Sequence, residues 1–180
     1  MLRAMLQFLK SIIKGILDLK EETQQLTGNY TVSSEMEQKL KKFEGYSEKA
    51  YQDTVGVWTI GYGNTYYADH SPVKEGDTIT RSEAEKLFRD VLDEFSQEVG
   101  DLIRSNINNC QFDALVCLTY NIGIDRFKTS TLLKKVNLNP NDETIGNEFA
   151  RWVKAGGKTN AVLVKRRKEE ADYYFGKTCQ

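Results

Sequence analysis

Histidine occurs only once in this chain of 180 residues, at His70, and proline only twice. A single imidazole excludes histidine-rich metal sites and would force any Ser-His-Asp or Cys-His chemistry onto that one position. C-x-x-C and H-E-x-x-H are absent as well. Long apolar runs are also missing. The opening stretch is interrupted at Lys10 and Lys14, far short of the roughly twenty residues a bilayer helix demands, so no transmembrane helix is predicted. Nor does either sign of charge dominate: 25 basic against 26 acidic residues leave a net charge of -1, which argues against a nucleic-acid binder. Cysteine is scarce and odd in number, at Cys110, Cys117 and Cys179. If residues 110 to 117 are helical, the first two stand roughly 10 Å apart, beyond disulfide reach. A reducing compartment at synthesis is therefore expected.

What is present describes a soluble globular chain. Hydrophobic residues make up 39%, charged residues 28% and aromatic residues 11%, the profile of one domain or one domain with an appendage. A chain of this length buries roughly two-thirds of its unfolded surface, so its core does not depend on staples. Charge is unevenly distributed. Residues 151–180 hold 8 basic and 3 acidic side chains, whereas residues 35–150 hold 13 and 20. The basic tail reads either as a solvated helix face or as a patch that attracts an anionic polymer.

Residues 2–26 set Leu2, Met5, Leu6, Leu9, Ile12, Ile13, Ile16 and Leu17 on one helical stripe, with Arg3, Gln7, Lys10, Lys14 and Glu21 opposite. This amphipathic helix either packs on the body or a second copy, or lies in a membrane interface. With the linker Thr27–Thr31, it makes residues 1–30 an appendage to a domain over residues 31–180. A second helix is expected to start at Ser34, with Glu37 completing a capping box, and to run to Glu44 before Gly45 stops it. A segment rich in Tyr, Val, Trp, Thr and Ile, punctuated by Gly56, Gly61 and Gly63, reads as a small antiparallel sheet. Thr80 and Glu83 cap another helix, whose core stripe runs from Ala84 through Phe95 to Val99. Further helices are predicted near 109–121, 131–137, 142–154 and 161–175. The fold class is α+β.

One constellation can do chemistry. If the hairpin turns about Gly56, Asp53 and Thr59 face each other across the strands, where a carboxylate and a hydroxyl share one water molecule. Glu44, closing the helix that feeds the sheet, then stands across from the pair. Two carboxylates flanking a gap are what glycoside hydrolysis needs: one protonates the leaving oxygen and the other activates water. Phe43 and Trp58 are near in sequence to supply an apolar setting for the acid. The plainer reading is an acidic residue ending an exposed helix and another opening a turn.

These residues, Glu44-Gly45, Tyr51-Gln52-Asp53, Gly56 and Thr59-Ile60-Gly61-Tyr62-Gly63, resemble the active-site segment of the phage-type lysozymes. That family's signature is glutamate, eight residues, aspartate, five residues, threonine, and Glu44, Asp53 and Thr59 match it without a gap. The similarity continues through Gln111–Leu115, Tyr120–Gly123, Phe127, Ser130–Leu133, Arg151-Trp152 and Arg166-Arg167 with Glu170, so it covers residues 35–175. It implies a two-lobed fold, with a three-stranded sheet lobe, a mainly helical lobe and a sugar-binding groove between them. It implies Glu44 as general acid, with Asp53 and Thr59 holding the attacking water. Peptidoglycan is the implied substrate, cut at the β-1,4 link from N-acetylmuramic acid to N-acetylglucosamine with inversion.

Thr65, Tyr120, Asn121 and Ser130 are the groove-lining candidates. No metal or cofactor is implied, and a monomer is expected. The resemblance points to an endolysin made in the bacterial cytoplasm and acting on the cell wall after release or export. The chain departs from many relatives at Asn64, where histidine is common, and at Val162, where glycine is common. Arg166 and Arg167 either orient Glu44 or decorate a basic helix. Rival readings are a lytic transglycosylase, which needs no held water, and a catalytically silent glycan-binding module.

Overall fold

A computed structural model describes residues 30–53 and 56–179. The amphipathic segment 2–26 lies outside them. The first described helix, α1 (Ser34–Glu44), is capped by Ser33, whose hydroxyl accepts from the Met36 N–H at 3.1 Å. This is one residue earlier than the expected cap at Ser34. The reason is tertiary: Asp113, buried in a distant helix, accepts both the Ser33 backbone N–H and its hydroxyl, holding Ser33 extended. Met36 and Leu40 turn inward, and Gly45 ends the helix at φ +71°, its N–H donating to the Lys41 carbonyl. Only glycine takes that conformation at little cost.

β1 (Ser47–Gln52) and β2 (Trp58–Gly61) then pair antiparallel, Tyr51 opposite Thr59 and Gln52 opposite Trp58. Among the described residues this sheet has two strands; in place of the implied third strand stand isolated bridges, Lys49 with Thr78 and Ile60 with Asn64. The long helix α2 (Arg81–Leu102) opens with the expected Thr80–Glu83 capping box. It packs on β2 and also on α3 (Asn109–Ile122), joining the sheet to the helical part. Residues 111–119 of α3 are all buried, so it is the central helix of the core, hydrophobic on nearly every side.

Around it lie α4 (Ile124–Lys128), α5 (Thr131–Leu138), α6 (Ile145–Phe149) and α7 (Ala161–Tyr174). The helix expected over 142–154 is shorter because the chain leaves it for a hairpin, β3 (Lys154–Ala155) and β4 (Lys158–Thr159). Gly156 and Gly157, both at positive φ, form its two-residue turn. Cys110 and Cys179 are joined by a disulfide that the sequence reading did not propose, while Cys117 is buried and free. Helical spacing had excluded only the pair 110 and 117; the tail after α7 returns to the start of α3.

Candidate active site

Strand geometry sets the sheet wall. The hairpin centres one residue earlier than Gly56, so Asp53 opposes Val57 and Thr59 opposes Tyr51. The expected direct pairing of Asp53 with Thr59 is therefore replaced by a diagonal one. Moving the centre by one residue shifts the partner by two, which preserves the face. The Val57 peptide links the two groups: its N–H donates to Asp53 Oδ1 at 2.8 Å, and its carbonyl accepts from the Thr59 hydroxyl at 3.1 Å. Thr59 spends its proton there, which leaves its oxygen as an acceptor for water.

Glu44 comes to the same hollow from the end of α1. Its Oε1 accepts from Arg166 Nη1 at 2.7 Å, and a side chain at Gly63 would meet its Oε2 at 2.9 Å. The Gly61-Tyr62-Gly63 turn is thus moulded around the carboxyl group. Glu44, Asp53 and Thr59 together line one cavity of about 410 Å³, within the usual range for small-ligand sites. Thr65, Tyr120 and Asn121 line it too. Ser130 does not: it caps α5, accepting from the Leu133 N–H at 3.0 Å, in a separate depression of about 330 Å³ beside Arg151 and Trp152. A serine followed by a helical segment is a capping signal first.

Arg166 and Arg167 are buried, at 6% and 1% exposure, so neither decorates a surface. Glu170, fully buried, lies 3.0 Å from Arg166 Nε through one oxygen and 3.0 Å from Arg167 Nε through the other. Arg166 passes this constraint to Glu44, and Arg167 donates to Asn121 Oδ1 at 2.8 Å. One buried carboxylate therefore orients a group on each wall of the cavity. Arg166 also lies 4.8 Å from the centre of the Phe43 ring, which shields the ion pair with Glu44.

Tyr120 is held by donating to the Tyr62 carbonyl at 3.1 Å; burial raises its phenol strongly, and the charge of Glu44 adds to that. Tyr51, Asn64, Tyr66 and Phe95 are also part of the lining. From the sequence, Tyr51 was named only as part of the segment resembling an active site, Asn64 only as a departure from relatives, and Phe95 only as part of a core stripe. The signal for Tyr51 was its place two residues before Asp53 in a strand. Among the described residues, no group of three or more His, Cys, Asp or Glu side chains is placed to hold a metal ion.

Residues 41–170 match the model of the phage lysozyme family. The chain is similar to the endolysin of Bacillus phage B103, 43% identical over 76% of this chain and 51% of that protein. It thus spans about half the length of that relative. It is similar over nearly the whole length of the Salmonella phage P22 endolysin, 37% identical across 78% of this chain and 95% of that one. Among solved structures, the endolysin from Escherichia coli O157:H7 phage FAHEc1 superposes with a TM-score of 0.75 at 35% identity, covering 84% of this chain and 97% of that one.

Proposed function

Since the chain belongs to the phage lysozyme family, we propose that it is a lysozyme-type glycoside hydrolase acting on the cell wall, where it hydrolyses the β-1,4 bond from N-acetylmuramic acid to N-acetylglucosamine in peptidoglycan. The observation that carries this reading is the meeting of Glu44, Asp53 and Thr59 in one cavity.

Glu44 is the proton donor. Arg166 fixes Oε1, which leaves Oε2, abutting Gly63 in the cavity, as the oxygen that delivers the proton. The proton passes to the glycosidic oxygen as the bond to the anomeric carbon breaks. Asp53 and Thr59 hold a water between them; its oxygen attacks that carbon and its proton moves to the Asp53 carboxylate. The Val57 peptide keeps both groups from swinging away. Because the water comes from the face opposite the leaving oxygen, the product anomer is inverted. Release of glycan fragments lyses the bacterial wall, the role suited to an endolysin made in the host cytoplasm.

Glu44→Gln removes the proton and keeps the shape. It should abolish turnover of purified peptidoglycan while leaving the thermal midpoint close to that of the parent. Asp53→Ala should cost about a hundredfold to ten-thousandfold in kcat. Parent-like turnover in either variant would refute these roles.

A further inference from the structure

We propose that Tyr51 is a substrate-contacting residue whose ring is the platform for a sugar unit beside the scissile bond. This deepens the muramidase reading and rests on it.

Tyr51 and Asp53 are two apart along one extended segment, so their side chains leave the same face, separated by roughly 7 Å along the chain. Tyr51 also pairs directly with Thr59, and all three line the cavity with Glu44. The ring therefore adjoins the place assigned to the attacking water.

The fold does not account for a ring at this point. Tyr51 is 42% exposed, whereas Tyr62, the neighbouring aromatic of the same lobe, is 3% exposed and packs edge-on against Phe88. Trp58, beside it in the partner strand, packs on the core. Among the described residues, Tyr51 makes no ring–ring contact, while Tyr120 and Phe95, which also line the cavity, meet ring to ring at 5.5 Å with a tilt of 49°. A half-exposed strand position needs only a threonine or a lysine; a phenol there leaves apolar surface in water.

A pyranose supplies the missing cover. Its faces present C–H groups, which suit the electron-rich face of an aromatic ring, and its hydroxyls point outward to the polar rim. The phenol end fits the same picture. Partial burial raises it, and the charges of Glu44 and Asp53 raise it further, so the hydroxyl lies within electrostatic reach of both carboxylates and stays a neutral donor there.

The test uses full-length protein and soluble glycan fragments prepared from peptidoglycan. Affinity is measured in the Glu44→Gln background, which leaves the fragments uncut, and turnover in the parent background. Tyr51→Ala should weaken binding roughly tenfold, since covering a side chain of this size contributes at least that factor. It should raise KM with little change in kcat and leave the thermal midpoint near that of the parent. Tyr51→Phe should recover most of the lost affinity. Unchanged affinity in Tyr51→Ala, or a fall in kcat alone, would overturn the platform while the muramidase reading stands. A parent protein that leaves peptidoglycan uncut would instead overturn that reading, and the platform with it.

Discussion

Gly63 shows how tightly single residues shape this cavity. Its φ of +81° lies in the left-handed region, and a Cβ there would sit 2.9 Å from Glu44 Oε2. Alanine at this position costs about 1–2 kcal/mol of backbone strain and displaces the carboxyl oxygen assigned to proton donation. Gly63→Ala is therefore predicted to reduce kcat by at least about tenfold, since small displacements of catalytic groups carry large rate penalties. Steady-state kinetics beside a urea melt would check this; unaltered kcat would separate Gly63 from Glu44. Spacing alone left Glu44, Asp53 and Thr59 open to a plainer reading as a helix end and a turn; the resemblance to the phage-type lysozyme signature singled them out, and all three line one cavity. The register was not legible, because Gly56 was taken as the hairpin centre. The misplacement did no harm to the site, since partners moved by two remain on one face. The burial of Arg166 was illegible for another reason: an Arg-Arg pair on a basic segment is solvated by default, and only Glu170, three and four residues on, reverses that.

Pairs of elements are locked by polar groups whose partners are distant in sequence. Lys41 of α1 bridges to Glu37 at 2.7 Å and to Glu85 of α2, and Tyr62 donates to Glu85 at 2.7 Å. The bonds from Lys41, then Tyr62, hold the Glu85 carboxyl below the ordinary glutamate value of 4.5. A depressed folded-state value means stability gained above the unfolded value and lost as pH falls through the folded one. Glu85→Gln should therefore destabilise at neutral pH, with the gap to the parent closing below 4.5. Urea midpoints from neutral to acid pH read this directly; a gap constant with pH would contradict it. Helix existence was legible here from period and caps. The Ser33 cap and the short α6 were not: Asp113 fixes the one from 80 residues away, and the Gly156-Gly157 hairpin cuts the other off.

For the whole molecule, α3 is the centre: α1, α2, α4 and α7 all pack on it. The Cys110–Cys179 disulfide closes a loop of 69 residues that includes α4 through α7. In the chain-entropy model such a loop contributes about 4 kcal/mol. Reduction, or Cys179→Ser, should lower the thermal midpoint by about 10 °C for a chain of this length. Equal midpoints with and without reductant would show that the cross-link adds nothing. A return of the tail to α3 could not be read from cysteine spacing, because it depends on where α7 ends.

The proposed hydrolysis requires one water delivered by Asp53 and Thr59 to the bond that Glu44 protonates. Digesting purified peptidoglycan in heavy-oxygen water and weighing the fragments tests it most directly. Each newly formed N-acetylmuramic acid end should carry one heavy oxygen in the parent digest, with no such fragments from Glu44→Gln. Ends closed as anhydro rings, with no solvent oxygen taken up, would contradict it.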